Sequence, residues 1–132
     1  MASNSRHISV RIDRPADEVY EFTSNPAKLP TWASGLGSSV EFVDGQWIAE
    51  SPMGRVAVAF VPHNELGVLD HEVTLPNGDT VYNPMRVIAD GSGCEVIFTL
   101  RSEKELSAED FEQDAATVSS DLGALKRVLE DS

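Results

Sequence analysis

The sequence predicts an α+β fold in which a curved antiparallel sheet of seven strands packs against one long C-terminal helix. Segments with alternating apolar and polar residues follow one another between residues 39 and 101, and only short turn signals separate them. Short turns favour antiparallel pairing, because parallel strands need long crossover connections. The C-terminal segment carries a helical stripe of apolar residues, which must be buried against the sheet.

Length and charge narrow the class of protein. The 132 residues fit a single domain, residues 1–132, with a hydrophobic core of its own. Lys and Arg number 10 against 22 Asp and Glu, so the formal net charge is −12. Nucleic-acid binding requires clustered cations, and anionic membranes attract basic segments. We therefore expect neither a nucleic-acid partner nor membrane insertion.

The N-terminal residues, the single cysteine and the histidines indicate the localisation and the need for cofactors. The N-terminal residues lack the apolar run of a signal peptide, and no segment approaches the length of a membrane span. A single cysteine, Cys94, suits a reducing compartment, so we expect a cytoplasmic protein of bacterial origin. The three His and one Cys are scattered, so we expect no metal site and no cofactor.

One strand and two short helices are predicted before residue 39. Residues 6–13 alternate as in a half-buried strand. Pro15 then introduces a helix over residues 16–23, since proline suits the start of a helix. Asn25 is a suitable N-cap for a second, shorter helix that ends near Pro30.

Six further strands and the long helix complete the predicted series of secondary-structure elements. The strands are predicted at residues 39–43, 46–51, 55–61, 67–75, 80–89 and 94–101, with the hairpin signal Asn77-Gly78 between two of them. Ser107, followed three residues later by Asp110, predicts the N-terminus of a helix of about 23 residues, roughly 34 Å long. Its buried stripe would consist of Phe111, Ala115, Val118, Leu122, Leu125 and Leu129.

Four segments carry a recognisable combination of motifs, namely IDRPADEVYEF (residues 12–22), Asn25-Pro26, LPTW (residues 29–32) and the final helix over residues 111–130. Together they resemble the SRPBCC superfamily, which includes START domains, birch-pollen-allergen-like proteins and the polyketide cyclase/dehydrase group. The resemblance implies the helix-grip fold, in which the sheet wraps round the C-terminal helix and leaves a cavity between them. Members bind lipids, sterols, polyketides or other apolar molecules, and a minority are enzymes.

Strand pairing predicts which side chains face this cavity. A hairpin with Leu75 opposite Thr80 places His71, Tyr82 and Arg86 on one face. Pairing with the preceding strand places Val58 opposite His71 and Phe60 opposite Leu69, and these apolar partners mark the face as interior. Asp70 and Glu72 would then face water.

Two features leave the register at Arg86 open. One is Pro84, which is compatible with a bulge that shifts the register, and the other is the loop between the last two strands. A three-residue loop places Phe98 opposite Arg86, whereas a two-residue loop brings Ile97 there instead. With His71 and Arg86 inside and almost no carboxylate beside them, the first register predicts a neutral or mildly basic cavity.

Three residues are candidates for catalysis. His71 suits proton transfer or a hydrogen bond to a ligand, or it is a core histidine satisfied internally. Arg86 suits a carboxylate or enolate oxygen, or it extends to the rim of the cavity, or it pairs with Glu50 or Glu95. Tyr82 offers a hydroxyl on an apolar ring, or simply packs. The full predicted ligand-binding set is Trp32, Trp47, Val58, Phe60, Leu69, His71, Tyr82, Arg86 and Phe98.

Two main functions follow. The first is the binding of a small hydrophobic ligand, aromatic or polyketide-like, between the sheet and the C-terminal helix. The alternative is an enzyme of the polyketide cyclase/dehydrase kind, in which Arg86 stabilises an enolate and His71 or Tyr82 moves the proton. A protein-interaction module is a third class, but the sequence offers no exposed apolar patch for it. A monomer and a homodimer are both compatible with the sequence.

Overall fold

The computed structural model describes residues 5–34, 39–52, 54–101 and 107–131. Its strands are β1 (Ser5–Ile12), β2 (Ser39–Val43), β3 (Gln46–Ser51), β4 (Gly54–Phe60), β5 (His71–Thr74), β6 (Thr80–Asn83), β7 (Met85–Asp90) and β8 (Gly93–Arg101). Its α-helices are α1 (Ala16–Thr23), α2 (Leu29–Trp32) and α3 (Ala108–Glu130), with a turn of 3-10 helix at Pro26–Lys28.

The α+β class is confirmed, but the single seven-stranded sheet is wrong. The described strands form one sheet in the order β1-β8-β7 and a second in the order β2-β3-β4-β5-β6. Pro84 divides β6 from β7, in what the sequence presents as one strand over residues 80–89. Because proline has no N–H to donate, it interrupts the ladder at this point.

The two sheets meet along a seam, formed by residues 67–69 beside residues 85–87. Val68 forms an isolated antiparallel bridge with Arg86. The Leu69 N–H donates to the Met85 carbonyl at 2.8 Å, and the Val87 N–H donates to the Gly67 carbonyl at 2.9 Å. Backbone hydrogen bonds therefore continue from one sheet to the other. The two sheets together keep the curved shape that is expected of a single sheet.

The register between β5 and β6 differs by one residue from the prediction. Thr74, rather than Leu75, lies opposite Thr80. The Leu75 N–H donates to the Asp79 carbonyl at 2.7 Å and closes a three-residue turn in which Gly78 has a φ of 92°. Since neighbouring side chains on a strand point to opposite faces, this shift moves Tyr82 to the face of the exposed Glu72.

The register between β4 and β5 keeps the predicted faces, and the register between β7 and β8 is one of the two predicted alternatives. Phe60 lies opposite His71 and Val58 opposite Val73, a shift of two residues that leaves His71 on the interior face. The two-residue alternative holds between β7 and β8, where Asp90 faces Gly93.

Helix α3 begins and packs as the sequence predicts. The Ser107 hydroxyl accepts a hydrogen bond from the Asp110 N–H at 3.0 Å. Of the predicted stripe, Phe111 and Val118 are half-buried and the others are buried, namely Ala115, Leu122, Leu125 and Leu129. The Lys126 ammonium donates to the Arg11 carbonyl at 2.7 Å, which fixes the C-terminal part of α3 to β1.

Helix α2 extends beyond the predicted end near Pro30. Pro30 is its second residue, where the backbone N–H would have no partner within the helix, so proline is tolerated. The continuation carries Trp32 into the core, where only 6% of the residue is exposed. None of the helices in the described ranges combines the length and the hydropathy that a membrane crossing requires.

Candidate functional site

A cavity of about 290 Å³ lies between the inner face of the sheets and helix α3. Apolar side chains form most of its wall, namely Trp32, Ala33, Val73, Leu75, Val81, Phe98, Leu100, Val118 and Leu122. The polar residues of the wall are His71, Asn83, Asp114, Thr117 and Asp121. The strands supply His71 and Asn83, whereas α3 supplies the other three.

His71 is the buried polar group of this wall that the sequence predicts. Only 4% of the residue is exposed, and its Nδ1 lies 3.1 Å from the Leu69 carbonyl oxygen. A carbonyl oxygen can only accept, so Nδ1 carries the proton of the neutral ring and Nε2 is left as an acceptor. Among the described residues, no hydrogen bond is made to Nε2.

The surroundings of His71 keep its ring uncharged. Burial is the main cause that lowers the pKa of His71, although the bond to Leu69 and the charge of Asp70 oppose it. The ring also packs against Phe60 and Phe98, with centroid distances of 4.8 and 6.0 Å. An imidazole in this setting is a neutral hydrogen-bond acceptor at neutral pH.

Trp32, another residue of this wall, carries a buried polar atom that is not satisfied. Its indole Nε1 has no hydrogen-bond partner among the described residues. Such groups are rare in folded proteins, because burying a donor without a partner costs free energy.

The α3 side of the cavity is acidic, and the sequence did not predict this. Asp121 accepts hydrogen bonds from the Ser34 hydroxyl at 2.6 Å and from the Ser34 N–H at 3.2 Å. Burial, together with the nearby charge of Asp110, raises the pKa of Asp114. No Lys or Arg of the described residues lines the cavity, so the expected neutral or mildly basic cavity is wrong.

Tyr82 and Arg86 lie on the outer face instead of in the cavity, and both contact Asp70. The Arg86 guanidinium forms an ion pair with the Asp70 carboxylate, and the Tyr82 hydroxyl donates to it at 2.7 Å. Arg86 therefore pairs with neither Glu50 nor Glu95. Their predicted inward orientation is wrong, because Tyr82 lies opposite Glu72 and Arg86 lies opposite Val68, each one residue away from the predicted pairing.

Asp70 was expected to face water, but only 6% of it is exposed. Its carboxylate also accepts the Met85 N–H at 2.8 Å. Burial alone would raise the pKa of this carboxyl group, but the bonds from Met85 and Tyr82 and the charge of Arg86 hold it below its usual value. Asp70, Tyr82 and Arg86 together form what we call the outer cluster.

The remaining predicted ligand-binding residues lie outside the cavity wall. Val58 and Leu69 are buried in the core, and Phe60 packs on the His71 ring. Trp47 packs against Phe42, with ring centroids 5.2 Å apart. The structure therefore brings Trp32, His71 and Phe98 together at the cavity. Asn83 reaches it through the same shift that removes Tyr82.

A second and wider concavity of about 580 Å³ lies between α1, residues 63–67 and β7. Its wall includes the exposed Leu66 and Ile88 together with Asp17, Glu21 and Glu65. His63 Nε2 lies 2.8 Å from a carboxylate oxygen of Glu21. We call this feature the surface groove. Its wall is more polar than the wall of the cavity between the sheets and α3, and small-molecule sites are predominantly apolar.

Comparison with known proteins identifies the architecture. No protein-family model matches the sequence, and no curated protein matches it significantly. Among solved structures, a conserved protein from Geobacillus kaustophilus has a TM-score of 0.75 at 11% identity, covering 98% of this chain and 97% of its own. Ara h 8.0201 has a TM-score of 0.71 at 12% identity, covering 99% of this chain and 100% of its own.

A third similar structure comes from a biosynthetic gene cluster. DynU16, a protein of the dynemicin biosynthetic locus, has a TM-score of 0.72 at 15% identity, covering 98% of this chain and 48% of its own. The chain has the helix-grip fold. At these identities the likeness shows the fold alone. Among the described residues, no cluster of three or more His, Cys, Asp or Glu side chains could hold a metal ion.

Proposed function

We propose that this protein binds a small hydrophobic molecule in the cavity between the sheets and α3. The observation that carries the proposal is the apolar wall of a 290 Å³ cavity with the buried His71 in it. A cavity of about 150 Å³ accommodates benzene. The volume here therefore suits a molecule about the size of two fused aromatic rings.

The fold supports the same proposal. A sheet that curves round a long helix leaves space between the two layers, and in this chain apolar side chains border that space. The dynemicin locus is a property of DynU16 and does not determine the ligand of this chain.

The enzymatic alternative has less support. Stabilisation of an enolate in the cavity would need a cation or strong donor beside it. Arg86 is paired with Asp70 on the outer face, and Tyr82 donates to the same carboxylate. Of the three candidates for catalysis, only His71 lines the cavity. We therefore place binding before catalysis.

Naphthalene is a suitable probe of the cavity, and the change in tryptophan fluorescence is a suitable measurement. Trp32 lines the cavity whereas Trp47 does not, so the experiment is best done in a Trp47→Phe background. We expect saturable quenching or enhancement of Trp32 emission. Absence of saturable binding by naphthalene and by methylated naphthalenes would contradict the proposal.

Three matched variants distinguish binding in the cavity from binding in the surface groove. Val118→Phe places a phenyl ring in the cavity, and Val81→Phe does so from the opposite wall. Ile88→Phe makes the same kind of change in the surface groove. We expect the first two variants to weaken binding at least tenfold and Ile88→Phe to leave it unchanged. The reverse pattern would place the ligand in the surface groove and overturn the proposal.

A further inference from the structure

We propose that the cavity selects uncharged apolar molecules that carry a hydroxyl group, and that this hydroxyl donates its hydrogen bond to Nε2 of His71. This inference rests on the proposed function, since it names the chemistry of the ligand that the cavity would hold. It concerns two properties of the wall, namely the acceptor that His71 presents and the sign of the charges around it.

The acceptor follows from the hydrogen bonding of the ring. The Leu69 carbonyl holds the Nδ1 proton, so the bond at 3.1 Å fixes the tautomer with a bare Nε2. Only 4% of His71 is exposed, and the residue lines the cavity. A ligand that displaces water from the cavity must supply a donor of its own, or this acceptor is left without a partner. A hydroxyl is such a donor, whereas an ether or ketone oxygen is not.

The charges of the wall argue against an anionic ligand. Asp114 and Asp121 border the cavity from α3, and no Lys or Arg of the described residues does so. A carboxylate in the cavity would be repelled by Asp121 and would meet the lone pair of a neutral imidazole. Charged groups bind in apolar surroundings only when they are paired. The wall therefore disfavours carboxylates, because none of its described residues is a cation that could pair with one.

Four probes with one skeleton test this selectivity. They are naphthalene, 2-naphthol, 2-methoxynaphthalene and 2-naphthoate, and their dissociation constants are measured by calorimetry at pH 7.5. A net hydrogen bond contributes about 0.5–1.5 kcal/mol, which corresponds to a factor of about 2 to 12. We expect 2-naphthol to bind about three- to tenfold more tightly than naphthalene and 2-methoxynaphthalene, and 2-naphthoate to bind most weakly.

Variants of His71 assign the preference to its ring. His71→Phe keeps an aromatic ring beside Phe60 and Phe98 but removes the acceptor. We expect it to abolish the advantage of 2-naphthol over 2-methoxynaphthalene and to leave naphthalene binding within about threefold. His71→Gln offers a side-chain oxygen as acceptor and should restore part of the advantage. A preference that survives in His71→Phe would overturn the inference.

A measurement on the unaltered protein does not depend on the folding of any variant. Nitrogen-15 spectra of the imidazole rings report the tautomer and the hydrogen bonding of each ring nitrogen. We expect 2-naphthol, and not 2-methoxynaphthalene, to shift the Nε2 resonance of His71 toward lower frequency. An unchanged Nε2 resonance at saturation with 2-naphthol would contradict the inference.

The two proposals fail in different ways. If none of the four probes binds, or if Val118→Phe binds them unchanged, the proposed function is wrong. If all four bind in the cavity with equal affinity, or if 2-naphthoate binds most tightly, the proposed function stands and the hydroxyl selectivity is wrong.

Discussion

The Asp70 carboxylate binds residues on both sides of Pro84, where the hydrogen-bonding ladder between strands is interrupted. Met85, the first residue of β7, donates its N–H to this carboxylate at 2.8 Å, and Tyr82 and Arg86 bind the same group from the outer face. A side chain thus replaces the backbone partner that a regular sheet would provide. The outer cluster therefore has a structural role in joining β5, β6 and β7.

Removal of the Asp70 carboxylate should destabilise the protein. Asp70→Ala leaves the Met85 N–H buried without a partner and Arg86 without its counter-ion. We expect a loss of about 2–3 kcal/mol in the free energy of unfolding, measured by denaturant titration. Asp90→Ala removes an exposed carboxylate that pairs with Arg11 and should cost less than about 1 kcal/mol. Equal losses in the two variants would contradict the structural role of Asp70.

His71 should make stability fall as the solution becomes acidic. Its pKa is lowered in the folded state, mainly by burial, so both states are neutral well above the unfolded pKa of about 6.5. Below that value the unfolded chain binds a proton that the folded chain does not, and the folded state loses stability.

The size of this effect can be measured against His71→Phe. Between pH 7.5 and 5.5, the wild type should lose more of its unfolding free energy than this variant does, by up to about 1.4 kcal/mol. Denaturant titrations at the two pH values give both differences. If the two proteins lose stability in parallel, His71 is not held neutral in the folded state.

The sequence predicts the position of His71 but not those of Tyr82 and Arg86. The prediction for His71 survives because the error in pairing β4 with β5 is two residues, which keeps a side chain on its face. The error in pairing β5 with β6 is one residue, which reverses the face. Nothing in the pattern around Asn77-Gly78 distinguishes a three-residue turn from a four-residue loop, so this error could not be avoided from local residues.

Most strands and helices are predictable because their patterns are local. Alternation along β1 and β4 and the apolar stripe of α3 each need only one segment of sequence. The division into two sheets depends on how Pro84 and the seam are accommodated, and this involves segments distant in the chain. Pro84 indicates an irregularity at this point, but by itself it does not distinguish a bulge in one strand from a break between two sheets.

The seam depends on one glycine. Gly67 has a φ of 74°, and a Cβ atom at this position would lie 2.3 Å from the Val87 carbonyl oxygen. The same glycine accepts the hydrogen bond from the Val87 N–H. A side chain there would force apart the two segments that join the sheets.

Gly67→Ala should therefore be more damaging than the same change in an open turn. Gly91 has a φ of 63° and no atom within 4 Å of a built Cβ, so Gly91→Ala should cost about 1 kcal/mol from backbone strain alone. We expect Gly67→Ala to cost at least about 2 kcal/mol more, measured by chemical denaturation. A cost equal to that of Gly91→Ala would show that the seam can open without loss.

Over the whole molecule, the net charge of −12 is not confined to the outer surface. Asp114 and Asp121 bring carboxylates to the cavity from α3, whereas Arg86, the predicted cation, lies on the outer face with Asp70. The apolar stripe of α3 does not by itself predict that these aspartates border the cavity, because both of them lie beside the stripe and not within it. The cavity wall is consequently apolar and acidic, and His71 contributes a buried neutral acceptor to it.

The location of a bound probe tests this account most directly. Intermolecular nuclear Overhauser effects can be measured between 2-naphthol and the methyl groups of the wild-type protein. We predict contacts with the methyl groups of Val73, Val81 and Val118, which border the cavity. Contacts with Leu66 and Ile88 instead, which border the surface groove, or no contacts with either set at saturation, would contradict the assignment of the cavity as the binding site.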